Sequence, residues 1–519
     1  MSTDTVPTLK KETEAGQEVS AQGVIANVAR HGLVYGVAGA AAKLVGFIMI
    51  PVYTRYLTPS DYGILELVQL TANLIGIILA LGFTSSVLRF YFHYDSKEDR
   101  DQVISTGLVA TITVALGATL LLLPQSRRLS ELLTGSGTHQ QLVAIMVFTS
   151  FFSVSLIVPM AYMRALEKSA MYGATSLARL AAGLGLNILF VVVLRMGVLG
   201  VLLSGLIVGG LTSVGLIGWT ARRVRLGISA AKLNEMVRYG SPLVVATLGM
   251  FVLHFSDRFF LRRLTTLEDV GLYALGYKFA MMLPALVMEP FGLIWGAAVF
   301  SIFRRDDAPS IYAKVFTYLM LVATFLTLGV SLLIKDVLTI IATPRFLAAH
   351  TVVPVVMVGL LCLAASQFFE TGVHLMKRTV YRAIALVSAA TCNVLLNLVL
   401  IPRYGMMGAA FATLLSFAIL AALAYVFGQR LYRIPYEFGR AAKIALAGSA
   451  LYWVGTLITI DSVATSAAVR LGLVASYPVL LWFLGFYREE ELRQAREGYE
   501  ALKTAVRTRL PAGRSRSES

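Results

Sequence analysis

The sequence predicts an all-α, multi-pass membrane protein of about fourteen transmembrane helices, arranged as two six-helix lobes related by a pseudo-two-fold axis, with an extra helix pair at the carboxyl end. Three observations predict it. Of the 519 residues, 57% are hydrophobic and only 14% are charged, against roughly 45–50% and about 25% in an ordinary soluble domain. This low-charge texture runs unbroken from near residue 32 to near residue 486, so one continuous membrane body accounts for the length better than several soluble domains. The third observation is an internal repeat within the first twelve apolar spans.

A hydrocarbon core about 30 Å thick needs roughly 20 apolar residues per helix. Stretches of that kind fall at 32–54, 64–85, 103–123, 141–163, 172–194, 198–220, 240–260, 271–300, 315–334, 351–375, 382–401, 407–427, 443–461 and 466–486. The eighth is long and carries Pro284 and Pro290, which remove helical hydrogen bonds and bend it. The parts are then a polar tail over 1–30, a first lobe over 31–220, a second over 240–428, an added pair over 443–486 and a tail over 487–519.

The repeat has two pieces. RYLTPSDYG at 55–63 resembles RRLTTLEDVG at 262–271 with one inserted residue, each between the first and second spans of a six-span set. Arg195, Gly197 and Gly200 match Arg403, Gly405 and Gly408 at a constant offset of 208. Six is even, so both sets enter the membrane with the same orientation and the repeat is parallel, with a substrate path expected between the halves.

Charge sets the sidedness. With the amino terminus in the cytoplasm, the tails and the even-numbered breaks hold about 31 of the 45 basic residues and the opposite side about nine, so the positive-inside rule puts both termini in the cytoplasm. Arg222, Arg223, Arg225, Lys232 and Arg238 form the largest internal group. The net charge of +16 sits in short loops, where it acts on topology and anionic headgroups rather than on nucleic acid. Glu12, Glu14 and Glu18 beside Lys10 and Lys11 do not make a signal peptide, so the first span is expected to stay uncleaved. Leu492, Ala495, Tyr499, Leu502 and Val506 at helical spacing predict a cytoplasmic amphipathic helix over 487–510, with a disordered basic end from Gly513.

Several chemistries are excluded. The chain has no Walker loop, no HExxH and no Gly-x-Ser-x-Gly, and its loops are too short for a catalytic domain, so it is not expected to be an enzyme. Gly183-Leu184-Gly185 lies within an apolar span, where small residues serve close helix packing. Cys362 and Cys392 fall in apolar spans without partner spacing, and His31, His93, His139, His254 and His350 are scattered. No metal and no cofactor is expected.

Ionisable residues inside the bilayer are the sharper signal, since each costs ~2.5–3.5 kcal/mol at a helix centre. Lys43 lies mid-span with no local acid and points to a cavity role. Arg258 and Lys278 fit a cavity role or snorkelling, and Asp257 fits a partner for Arg258. Arg179 fits a substrate contact or an interhelical donor. Arg89 stands at the cytoplasmic mouth, where headgroup anchoring and substrate capture are both open. Glu289 is a coupling or structural charge, and Glu370 with His374 one turn on reads as a solvated rim in preference to a proton relay.

These residues carry a resemblance. IPVYTRYLTPSDYGILEL at 50–67, SDRFFL at 256–261, VGLYAL at 270–275 and RALEKS at 164–169 resemble the polysaccharide transporter family. That family includes the Wzx-type O-antigen flippases of the multidrug/oligosaccharidyl-lipid/polysaccharide superfamily. The resemblance spans roughly residues 30–460 and is most specific at the junction of the first two spans. It implies alternating access and transport of an undecaprenyl-pyrophosphate-linked oligosaccharide from the cytoplasmic to the periplasmic leaflet of a bacterial inner membrane. It also implies that Lys43, Arg258 and Lys278 are the cavity cations for the pyrophosphate. The implied partners are the lipid-linked oligosaccharide, membrane lipids and other polysaccharide-assembly proteins. Two alternatives stand beside it: a cation-coupled multidrug exporter of the same superfamily, and a scaffold or enzyme of polysaccharide assembly.

Overall fold

The computed structural model describes residues 44–489, 491 and 493, and these form helices and turns with no strand. The polar tail over 1–30, Lys43 and nearly all of the amphipathic helix expected over 487–510 lie outside the described residues.

Helices α1 (Leu44–Tyr56), α2 (Pro59–Leu79) and α3 (Phe83–His93) open the chain. Next come α4 (Lys97–Leu122), α5 (Ser126–Thr134), α6 (Gln140–Ser155), α7 (Ile157–Ala165), α8 (Ser169–Asn187) and α9 (Gly197–Ala221). The carboxyl-terminal half holds α10 (Ala230–Leu264), α11 (Leu267–Ala280), α12 (Glu289–Ile302), α13 (Ala308–Ile341), α14 (Val353–Phe369), α15 (Thr371–Leu375) and α16 (Val380–Leu431). The added pair is α17 (Phe438–Leu457) and α18 (Val463–Phe483).

Eleven helical stretches among the described residues are long and apolar enough to cross a bilayer, so the chain is a multi-pass membrane protein. The expected count of about fourteen is reached only by adding α1 and α17 and by counting α16 twice. At 52 residues α16 is far too long for one crossing of roughly 17–25 residues. Gly405, at φ 55° and ψ −133°, divides it into 380–404 and 406–431, a backbone conformation open to glycine. The eighth span is interrupted where Pro284 stands: a π turn over Pro284–Met288 separates α11 from α12.

The repeat is built into the helix starts. Thr58 caps α2 in a capping box with Asp61, and Thr266 caps α11 in the same way with Asp269, satisfying first-turn donors that would otherwise lack partners. Thr58 and Thr266, Asp61 and Asp269, and Gly63 and Gly271 each stand 208 residues apart. The inserted residue expected from the sequence is therefore not needed, because the equivalence keeps one offset throughout.

Helices α2 and α11 pack closely against each other, and the contact is reciprocal. A Cβ on Gly63 would overlap the Leu267 carbonyl oxygen, and one on Gly271 would overlap the carbonyl of Pro59, the residue equivalent to Leu267. Two like glycines thus cross where the two halves meet. Around this crossing α2, α4 and α9 pack on α6, while α10 and α14 pack on α16, α13 packs on α14, and α17 and α18 pack on α13.

Helix α10 touches both groups. Its start is tied to α4 by Ser229 N–H donating to Thr106 Oγ1 at 3.0 Å and by Lys232 pairing with Asp99. Its remaining length packs on α16 and α11 and also on α2 and α3. Pro242 lies within it, where a missing N–H permits bending.

A charged cluster at the seam of the two halves

Four ionisable side chains meet beside the α2–α11 crossing. Asp257 and Arg258 come from α10, Lys278 from α11 and Glu66 from α2, so both halves contribute. Arg258 and Asp257 side chains are each 1% exposed and pair at 2.6 Å. Tyr273 and Thr413 hydroxyls donate to the other carboxylate oxygen of Asp257. The Arg258 guanidinium lies 4.0 Å from the ring centre of Tyr277, 4.9 Å from that of Tyr273 and 5.4 Å from that of Phe255. Aromatic faces and a carboxylate together compensate a charge that burial would otherwise penalise heavily.

The tie across the seam is looser. Arg258 Nε is 3.9 Å from Glu66, whose side chain is 23% exposed, and this Nε makes no hydrogen bond. Glu66 also stands within electrostatic reach of Lys278. On α11 Lys278 is the half-exposed position in a run of buried residues, and its side chain lies against Gly46 of α1. Glu66 is therefore paired with Arg258 at long range and has Lys278 nearby, while Asp257 is committed to Arg258. The four formal charges cancel.

A hollow of about 530 Å³ adjoins this cluster. It lies between α2, α3 and α6 on one side and α10 on the other, and Asn73, Ser85, Ser153, Thr247 and Phe255 are among its lining. Phe255 joins it to the cluster, since the same ring faces Arg258. Among the described residues, none that lines this hollow is charged, and Lys43, the first of the expected cavity cations, lies outside them. Leaving a cation unpaired in a low-dielectric interior is costly, and Arg258 is held on Asp257.

The remaining sequence candidates stand elsewhere. Arg89 is exposed and stacks over Tyr239 of α10 at 4.5 Å. Arg179 is half-buried on α8, with an Nε that makes no hydrogen bond. Glu289 is exposed on α12. Glu370 is buried and pairs with Arg382 at 3.1 Å and with His374 at 3.7 Å, so it is a paired group and not a solvated rim.

Sequence reasoning passed over Glu66, Tyr273, Tyr277 and His254 as members of this cluster. His254 accepts or donates to the Tyr277 hydroxyl at 2.9 Å, and its carbonyl accepts from Arg258. The spacing His254–Arg258 and Tyr273–Tyr277, each four residues apart, was the signal, since such pairs share a helix face.

The fold recurs in solved structures. Over 87% of this chain and 98% of the other, it is similar to the lipid II flippase MurJ in an inward closed conformation, with a TM-score of 0.72 and 12% identity. It is similar to an inward-facing multidrug resistance MATE family transporter of the MOP superfamily over 78% of this chain and 99% of the other, with a TM-score of 0.60 and 15% identity. Identities this low speak to the fold. A protein of the Lsg locus of Haemophilus influenzae is 23% identical over 262 residues, which are 49% of this chain and 62% of that protein. The chain thus matches less than two thirds of that relative's length. Residues 28–295, just over half of the chain, match the family described as polysaccharide biosynthesis protein, and the chain belongs to that family.

Proposed function

We propose that this chain is a flippase that carries an undecaprenyl-pyrophosphate-linked oligosaccharide from the cytoplasmic to the periplasmic leaflet of a bacterial inner membrane. Family membership and a fold shared with a lipid flippase support this reading. The observation that carries it is the loose pairing of Glu66 with Arg258 across the seam at 3.9 Å, with Lys278 nearby. The two halves act as lobes, both termini face the cytoplasm, and other polysaccharide-assembly proteins work beside the chain.

The chemistry follows from charge exchange. A pyrophosphate entering the seam carries more negative charge than Glu66 and offers more acceptor oxygens, so it takes over Lys278 and draws on Arg258 Nε. That exchange releases Glu66 and removes the ion pair linking α2 to α10. Binding energy is thereby spent on separating the halves, as a substrate-driven change of state requires. The prenyl tail remains in lipid, and the hydroxyl- and amide-lined hollow receives sugar.

Replacing Lys278 by Ala tests this. Surface polysaccharide should fall at least tenfold at unchanged protein level, with partial rescue in Lys278→Arg. Undiminished polysaccharide in Lys278→Ala would exclude the exchange. A second reading, a cation-coupled multidrug exporter, draws on the uncharged hollow and on Glu66 as a seam acid. Drug sensitivity of a deletion strain with normal surface glycan would favour it.

A further inference from the structure

We propose that the pocket between α13, α14, α17 and α18 is a saccharide-binding site. It lies outside the seam and is closed on one side by the added helix pair, which has no counterpart in the amino-terminal half. Its volume is about 660 Å³, within the range of small-molecule sites.

The lining favours a neutral polyhydroxyl ligand over an ion. Lys335 and Arg470 are matched by Asp336 and Asp461, so the formal charge is balanced. Arg470 donates to Asp336 at 2.8 Å, and the other Asp336 oxygen accepts from Ser466 at 3.0 Å. Both partners are nearly buried, with side chains 13% and 10% exposed. This pair fixes a planar set of donors and acceptors at the pocket wall, the rigid fork that suits vicinal hydroxyls. Thr339, Thr351, Thr456 and Thr459 add hydroxyls, and Tyr452 adds an aromatic surface of the sort that covers the apolar face of a sugar ring. Ser331 also lines the pocket, and its Oγ is buried without a partner, a donor left for a ligand.

The position fits a role after translocation. The pocket opens at the carboxyl end of α13, the same end as the capping boxes, since Thr54 of α1 donates to the Ile341 carbonyl and Thr343 donates to the Thr54 carbonyl. The site therefore stands beside the outer end of the seam, and it rests on the flippase reading for the source of its sugar.

Saturation-transfer NMR of the full chain in lipid nanodiscs tests the site, with methyl glycosides of glucose, galactose, mannose and N-acetylglucosamine as probes. At least one glycoside should receive saturation. The signal should fall at least fivefold in Asp336→Asn and in Thr456→Trp, whose exposed position accepts an indole that fills the pocket. Lys278→Ala should retain it, and inorganic pyrophosphate should not displace it. Absence of transfer to every probe, persistence in Thr456→Trp, or displacement by pyrophosphate would overturn the proposal. Should Asp336→Asn fail to fold, Thr456→Trp decides alone. The two readings fail separately: glycoside binding does not depend on Lys278, and loss of polysaccharide in Lys278→Ala does not depend on this pocket.

Discussion

Substituting Arg258 by Met should destabilise the protein far more than substituting both Asp257 and Arg258. Met keeps the aliphatic stem that packs under Tyr277, so the lost element is charge. In the single variant Asp257 remains 1% exposed and keeps uncharged donors, the Tyr273 and Thr413 hydroxyls and the residue 258 backbone N–H, but loses its cation. Breaking a buried pair in this way costs about 3–5 kcal/mol. At ~2–4 °C per kcal/mol for a domain of 150–250 residues, the melting temperature should drop by roughly 6–20 °C. The double variant Asp257→Asn, Arg258→Met buries no charge and retains a hydrogen-bonding partner for Tyr273, so at least half of the loss should return. That recovery is at least about 1.5–2.5 kcal/mol, and with the Asp257→Asn single variant it gives the coupling between neighbours in one network. Thermal unfolding of the purified protein in detergent, followed by intrinsic fluorescence, measures it. A single variant that melts with the wild type, or a double variant as unstable as the two singles added together, would refute the reasoning that Arg258 is a buried, committed charge.

Two further outcomes bear on the frame around the cluster. Gly271→Leu places side-chain atoms into the Pro59 carbonyl, a backbone atom that cannot swing aside, so stability should fall by about 1–3 kcal/mol or more; Gly117→Ala on α4, with open space around it, should melt at or slightly above the wild type. Burial pushes the Glu491 carboxyl up, but the Arg488 backbone N–H, Tyr318 and Arg440 outweigh it and hold it below its usual value of 4.5. A depressed carboxylate stabilises above its unfolded value and loses that contribution as pH falls through the folded value. The melting gap between wild type and Glu491→Gln should therefore be present at pH 7 and close as the pH is lowered below about 4, and a gap independent of pH would count against the pairing with Arg440, which the geometry puts at 2.8 Å.

Much of the fold is legible in the sequence because its signals are local. Apolar length marks the spans, and Thr58 with Asp61 and Thr266 with Asp269 announce two helix starts through residues only three apart. Gly405 is legible as a repeat of Gly197, and both adopt positive φ. The cluster is only half legible. Asp257 and Arg258 are neighbours in sequence, which brings them within reach of each other even though adjacent helical positions do not share a face. Glu66 reaches Arg258 across 192 positions through the crossing of α2 and α11, and no periodicity along either helix encodes that approach. The commitment of Arg258 is hidden for the same reason: a sequence shows cations in a membrane span, whereas their availability depends on which acids the fold brings beside them.

The most direct test of the charge exchange at the seam is the binding of undecaprenyl pyrophosphate and of undecaprenol to the purified chain in nanodiscs. The pyrophosphate lipid should bind at least tenfold more tightly, about 1.4 kcal/mol, and this preference should vanish in Lys278→Ala while undecaprenol binding stays unchanged. Equal affinity for the two lipids, or a preference that survives in Lys278→Ala, would contradict the account.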